Sequence, residues 1–351
     1  MKEQVATFVM AGGGTGGHVF PLLAVGRELR ERGHSVRFIG TRRGVEARLA
    51  PAENFPIEWI EIGGLKRVGM RKRLATLADL PGSVWEAWRM LRRASPAAVF
   101  SMGGYVAGPV LLAALWGRIP VVAMEPNAVP GFTHRRLARF VARALVSFPE
   151  TARWFPRGRA EVTGLPVRRE FFAIPPKPPG RPLTLLITGG SQGSRTLNGA
   201  VEESWALWPE GAVRIIHQTG AAAYGDLAGR SPFEVCAFID DMPQAYARAD
   251  LVLCRSGMGT LSELAAAGKP SILVPLPTAS DHHQLRNAEA FEKAGAARLV
   301  PDGEMRGTRL VEEVMRLAAD PDRLAAMGQA ARALAKPGAA RRAAEILESC
   351  E

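Results

Sequence analysis

Two glycine-rich turns of similar make-up stand half a chain apart, Gly13-Gly14-Thr15-Gly16-Gly17 and Gly189-Gly190-Ser191-Gln192-Gly193. Each follows an apolar, strand-like run, Val5 to Met10 and Leu183 to Thr188, and opens a helical pattern. A glycine turn at a helix start brings backbone N–H groups and the positive end of the helix dipole to an anion, most often a phosphate. The duplication therefore predicts an α/β chain of two Rossmann-like, parallel-sheet domains. Between them the expectation is a deep cleft that holds a phosphorylated ligand.

The rest of the pattern agrees with two domains, since 351 residues exceed one ordinary core. Short apolar runs alternate with helical patterns throughout, the signature of parallel sheets. The first half should hold strands near Val5–Met10, Val36–Ile39, Ile57–Glu61, Ala98–Ser101, Val121–Met124 and Leu145–Ser147. The second should hold them near Leu183–Thr188, Val213–His217, Glu234–Phe238, Leu251–Cys254, Ile272–Val274 and Ala297–Leu299. A joint at Thr163-Gly164-Leu165-Pro166 gives domains of residues 1–162 and 163–337. A final helix over 338–351, after the Lys336-Pro337-Gly338 break, is expected to return to the first domain.

Charge separates the halves more sharply than composition does. Residues 1–162 carry 24 Lys and Arg against 12 Asp and Glu, while residues 163–351 carry 21 against 22. A basic excess confined to one domain predicts a polyanionic partner there, nucleic acid or an anionic membrane surface. The stretch from Lys66 to Arg93 favours the membrane: Lys66, Arg67, Arg71, Lys72 and Arg73 precede Leu74, Leu77, Leu80, Val84, Trp85, Trp88 and Leu91. Rings enter the headgroup boundary while cations meet anionic lipid; the alternative is a core-packed helix pair broken at Pro81. No nucleic-acid motif accompanies the charge. No apolar run of about 18 residues is present, so neither a membrane span nor a signal peptide is expected. Three cysteines, Cys236, Cys254 and Cys350, lack metal-ligand spacing.

Individual residues suggest chemistry at the strand ends. In the first turn, His18 is a candidate general base or anion-site donor. No acidic residue marks the Gly40-Thr41-Arg42 strand end where a ribose-binding carboxylate would sit, which weakens a dinucleotide reading. A third glycine turn, Gly103-Gly104-Tyr105, and the segment Glu125-Pro126-Asn127 follow strands of the same half. In the second half, Met258-Gly259-Thr260-Leu261-Ser262-Glu263 opens a helix; Glu263 is either a ribose acceptor or the third residue of a capping box begun by Thr260. Asp281, His282, His283 and Gln284 could face a sugar, without a spaced third metal ligand. Asp320-Pro321-Asp322 reads as helix capping.

Taken in order, GGTGGHVFP (Gly13 to Pro21), GGYVAGP (Gly103 to Pro109), Glu125-x-Asn127, GGSQGSRTLN (Gly189 to Asn198), FIDDM (Phe238 to Met242) and the run from Cys254 to Pro270 resemble the bacterial MurG family of glycosyltransferases. The resemblance covers nearly the whole chain. It implies a GT-B fold and inverting transfer of N-acetylglucosamine from UDP-GlcNAc to the C4 hydroxyl of the muramoyl sugar of lipid I, giving lipid II for peptidoglycan. By position it places Thr15, Gly16, Gly17 and Asn127 at the donor sugar and phosphates, and Arg168 and Ser191 at the diphosphate. Ile239 would meet uracil, Met258 to Glu263 the nucleotide with Glu263 on ribose, and Gln284 the sugar. Inverting transfer needs a base for the acceptor proton, and His18 is expected to be that base or the residue that orients the acceptor, with Glu125 second, and Gly103, Gly104 and Tyr105 an acceptor and phosphate loop.

The same resemblance implies work at the cytoplasmic membrane face as a peripheral protein, beside other cell-wall synthesis proteins, with no nucleic acid, no metal and no further cofactor. The family commonly has Glu-Gln-Asn where this chain has Glu125-Pro126-Asn127, and paired glutamines where it has His283-Gln284. Rival expectations are a related GT-B enzyme with another acceptor, a UDP-GlcNAc epimerase, an NAD(P) oxidoreductase, or a nonenzymatic basic module.

Overall fold

The structure, a computed structural model, describes residues 5–63, 70–176, 178, 180–279 and 282–350. Over 70–78 only the backbone is described. The chain divides into two compact units, 1–168 with 338–351, and 169–337.

The first unit is a parallel sheet of seven strands among the described residues: β1 (Thr7–Ala11), β2 (Ser35–Gly40), β3 (Ile57–Trp59), β4 (Ala98–Ser101), β5 (Val121–Glu125), β6 (Arg143–Val146) and β7 (Ala160–Val162). Their order is β3-β2-β1-β4-β5-β6-β7. Central strands are buried on both faces, which is why Phe8 to Ala11 and Ala98 to Ser101 read as runs rather than alternations. β7 is absent from the sequence expectation for a physical reason. It is a three-residue edge strand, and Glu161 and Val162 in it are exposed, so no apolar run announces it.

The second unit holds six parallel strands among the described residues: β8 (Leu183–Thr188), β9 (Val213–Gln218), β10 (Glu234–Cys236), β11 (Leu251–Cys254), β12 (Ser271–Leu273) and β13 (Ala297–Leu299). The order β10-β9-β8-β11-β12-β13 repeats the wiring of the first sheet. One core packs Leu185, Ile187, Leu197, Leu253, Ile272 and Leu310 together. The other gathers Val9, Ile39, Val99, Val110, Val121 and Leu91.

Two expectations need adjustment. Pro81 does not split a helix pair: Met70–Ala94 is one helix with Pro81 inside it. The Ser83 hydroxyl, just after the proline, lies 3.0 Å from the Asp79 carbonyl and 2.5 Å from that of Glu61, which ties the helix there to the segment after β3. The division between units also falls after Arg168 rather than at Thr163. The terminal helix Ala339–Glu348 belongs to the first unit. Glu348 takes Arg32 at 3.0 Å and His34 at 3.0 Å, and Arg342 meets Glu161 at 2.7 Å.

Candidate functional site

In an open parallel sheet, ligands collect beyond the strand C-termini where the order reverses, here between β1 and β4. β1 runs into the first glycine turn and the helix Gly16–Glu31; β4 runs into Gly103-Gly104-Tyr105 and the helix Gly104–Trp116. Gly103 and Gly104 have φ of +72° and +79°, a region that side chains disfavour. A Cβ would fall 3.1 Å from the His134 ring at Gly103 and 3.3 Å from the His18 ring at Gly104. The glycine pair lets two imidazoles approach the backbone.

His18 lies in the first turn of its helix, half-buried, with Nδ1 3.2 Å from the Gly13 carbonyl. Burial lowers its pKa below 6.5, against the opposing pull of that hydrogen bond and of the Glu125 and Glu46 charges. The ring is therefore neutral at pH 7. Nδ1–H donates to Gly13, which assigns the lone pair to Nε2. Thr15 precedes the helix as its N-cap without a side-chain cap bond, and Thr15 and Gly17 are exposed while Gly16 is half-buried. Tyr105, 36% exposed, lines the same turn at Gly14.

Glu125 ends β5 and is only 3% exposed. Burial would raise its pKa, but hydrogen bonds from His134 Nδ1, the Gly131 N–H and the Asn127 N–H outweigh it and hold the carboxyl below its usual range. The Asn127 side-chain amide donates to Oε1 at 3.1 Å. Behind this, the Ser101 hydroxyl bridges His134 Nε2 at 3.2 Å and the Gly103 N–H at 3.0 Å. One buried chain thus joins the Gly103 turn to the Glu125-Pro126-Asn127 turn. His134 is invisible as a site residue in the sequence, where it reads as one basic residue among three.

Arg168 lies with the first unit, its guanidinium 4.2 Å above the Phe20 ring. Another residue missed by sequence reasoning is Glu46, fully buried beneath the first turn.

The second unit repeats the switch point between β8 and β11. Gly190 and Gly193 take φ of +84° and +72°, and a Cβ on Gly193 would collide with the Thr219 carbonyl. Ser194 caps the helix Arg195–Ser204, its hydroxyl accepting from the Leu197 N–H at 3.3 Å and from Arg255 at 2.8 Å. Ser191 is half-buried in this turn. Arg255 also donates to the Val274 carbonyl and pairs with Asp302, tying the turns after β8, β11 and β12 together.

Gln218, buried at the end of β9, does for this turn what no motif revealed. Its amide donates to the Thr188 hydroxyl at 3.1 Å and the Gly190 carbonyl at 2.9 Å, and its oxygen accepts from the Ile239 N–H at 2.9 Å. The turn at Ser191 and the segment at Ile239 are thus held by one side chain. A polar residue closing the run Val213 to Gln218 was the available signal.

The helix Met258–Ala267 is capped at Gly257, with no side-chain cap bond, so Thr260 and Glu263 lie inside it and form no capping box. Met258, Gly259, Thr260, Ser262 and Glu263 are half-buried; Leu261 is in the core. Gln284 heads the helix His283–Lys293, its side-chain oxygen accepting from the Leu276 N–H at 2.9 Å. His282 precedes that helix with φ +51°, and Asp281 lies outside the described residues. Asp320 caps the helix Pro321–Ala333 through the Arg323 N–H at 3.0 Å. No group of three or more His, Cys, Asp or Glu among the described residues is placed to hold a metal ion.

The helix Met70–Ala94 has two characters. Ala87, Met90 and Leu91 are in the core and Val84 packs against it, which removes Val84 and Leu91 from the expected lipid-facing set. Trp85 is 50% exposed and stacks on Trp88 at 4.8 Å, and Trp88 stacks on Trp116, itself 59% exposed, at 5.3 Å. Trp88 also packs partly against the core and carries Arg92 over its ring at 4.9 Å. Trp116 was not among the expected residues. Lys66 and Arg67 lie outside the described residues, and of the side chains of Arg71, Lys72, Arg73 and Leu77 nothing is described. No described helix is long and apolar enough to cross a membrane.

The glycosyltransferase family 28 N-terminal domain matches residues 8–146 and the C-terminal domain residues 184–344. The UDP-N-acetylglucosamine--N-acetylmuramyl-(pentapeptide) pyrophosphoryl-undecaprenol N-acetylglucosamine transferase of Solibacter usitatus is 60% identical, over 99% of this chain and 97% of its own. The crystal structure of Acinetobacter baumannii MurG superposes with a TM-score of 0.75 at 33% identity, over 98% of this chain and 99% of that one. The Neisseria meningitidis UDP-GlcNAc 2-epimerase, at 13% identity and a TM-score of 0.67, covers 99% of this chain and 100% of its own, a likeness of fold alone.

Proposed function

This chain belongs to glycosyltransferase family 28, in its MurG group and on the GT-B fold, and from that premise we propose its reaction in residue terms. It moves N-acetylglucosamine from UDP-GlcNAc to the C4 hydroxyl of the N-acetylmuramoyl sugar of lipid I, producing lipid II and UDP for peptidoglycan synthesis. The observation that carries this is the likeness to the Solibacter usitatus transferase along the whole chain.

His18 is the base. Nε2, the lone-pair nitrogen of a neutral ring, takes the proton of the acceptor hydroxyl as its oxygen bonds to the anomeric carbon. The bond from that carbon to the diphosphate oxygen breaks, and both bonding electrons leave with UDP. Thr15, Gly16, Gly17 and Asn127 serve the sugars from the first unit, with Arg168 at the phosphates and Gly103, Gly104 and Tyr105 at the acceptor. Glu125, ionised and fully engaged, acts by holding Asn127 and His134 rather than by taking the proton.

In the second unit the Ser191 turn and the first turn of the helix Met258–Ala267 offer N–H groups to the growing negative charge. Ile239 reads uracil, Glu263 the ribose hydroxyls, and Gln284 the sugar. The surface of Trp85, Trp88 and Trp116, with the basic segment before it, seats the protein peripherally on the anionic cytoplasmic leaflet where a lipid-linked acceptor lies.

Purified protein given labelled UDP-GlcNAc and lipid I in anionic vesicles tests this. Label appearing in lipid II supports the reading; release of UDP with no labelled lipid, or epimerised nucleotide sugar, would overturn it.

A further inference from the structure

The first glycine turn carries a buried carboxylate that the reaction above does not use. Glu46 begins the helix Glu46–Ala52 and is fully buried. Oε1 accepts the Thr41 N–H and the Thr41 hydroxyl, each at 2.9 Å, and Oε2 accepts the Gly14 N–H at 2.8 Å. A Cβ on Gly13, Gly40 or Gly44 would collide with this side chain. Three glycines, one from the first turn and two from the β2-to-helix connection, leave room for one carboxylate, so part of the glycine-rich signature serves Glu46 rather than a ligand.

The Gly14 N–H and the Gly13 C=O belong to one peptide unit. Its N–H end donates to Glu46 and its C=O end accepts from His18 Nδ1 at 3.2 Å. A planar trans amide points these groups in opposite directions, and a hydrogen bond at one end polarises the other. We propose that Glu46 is a positioning residue for His18, acting through the Gly13–Gly14 peptide to hold Nδ1–H in place and keep the lone pair on Nε2. This rests on His18 being the base. Glu46 never touches the sugar; it fixes the peptide plane that fixes the tautomer, the role a carboxylate bonded directly to a catalytic histidine plays elsewhere. It also occupies the Gly14 N–H, which is then lost to any anion at this turn.

The charged and titratable groups around His18 are Glu46, Glu125 and His134, with Tyr105 lining the neighbouring Gly14. Glu46 and Glu125 favour the imidazolium and His134 opposes it. Neutralising Glu46 therefore moves the acidic limb of kcat to lower pH as well as lowering the plateau.

The test uses the full chain with lipid I and UDP-GlcNAc. Glu46→Gln should lower kcat about 10- to 100-fold, leave the UDP-GlcNAc KM within about twofold, and shift the acidic limb downward. Thr41→Val, which keeps the backbone donor and the Glu46 charge, should lower kcat more weakly with the limb unmoved, and it guards against a Glu46→Gln protein that fails to fold. Added to His18→Ala, Glu46→Gln should cost little more, because the two act as a unit. If Glu46→Gln lowers kcat with the limb unmoved, or if its effect multiplies with that of His18→Ala, the positioning role is overturned. If His18→Ala itself leaves kcat unchanged, it is the assignment of the base that fails.

Discussion

The two glycine turns share strand order, helix start and residue types, yet opposite chemistry stands behind them. Beneath the first lies a carboxylate, Glu46, which takes the Gly14 N–H, and above it a neutral imidazole, His18. Behind the second lie a neutral amide, Gln218, and the guanidinium of Arg255 on Ser194. A phosphate prefers the second setting, and a proton leaving a hydroxyl prefers the first. One scaffold used twice acquires two tasks partly through buried residues, Glu46 and Gln218, that no loop motif contains.

Breaking the first turn should have the largest effect. His18→Ala should reduce kcat with saturating lipid I by about 10²- to 10⁴-fold, the range for a lost general base, as read by lipid II formed per second. Breaking the second should act on binding instead. Gln218→Met leaves the Ile239 N–H and the Gly190 carbonyl without this partner, and UDP affinity should fall about 10- to 100-fold at roughly 1–3 kcal/mol for an unsatisfied buried group. Turnover at saturating donor should hold within a few-fold.

A second histidine sharpens the contrast. His217, buried at the end of β9, donates through Nε2 to Asn198 at 3.0 Å, and burial pushes its pKa down to about 4. Unlike His18 it faces core, so its titration is a matter of stability. Between pH 6.5 and 4 the unfolded chain binds a proton that the folded chain refuses, so stability falls as pH drops through that window. The loss should reach about 2 kcal/mol by pH 5, and His217→Gln should remove most of it. Urea melts of both proteins at pH 7.5 and 5 measure this.

The smallest effect belongs to the surface. Replacing either Trp85 or Trp116 with alanine should weaken binding to anionic vesicles by about tenfold, on the order of 1.4 kcal/mol, while UDP binding stays unchanged in calorimetry.

The sequence carried both sheets well because parallel strands buried on two faces are written as apolar runs, and because each switch point was marked by glycine. It carried residues at the turns for the same reason. The roles of Glu46, His134, Gln218 and Arg255 escaped because each acts on groups distant in sequence, and a polar side chain satisfied by a remote partner has no local pattern. Glu46 depends on Gly13, Gly40 and Gly44 meeting in space. Trp116 escaped since its partners, Trp85 and Trp88, lie on another helix.

The division of labour is tested most directly by titrating UDP into His18→Ala and Gln218→Met side by side in a calorimeter. The expected result is a Kd for His18→Ala within about twofold of the unmutated protein and a Kd for Gln218→Met at least about tenfold weaker. Equal weakening in both, or weakening in His18→Ala alone, would contradict the assignment of proton transfer to the first turn and nucleotide binding to the second.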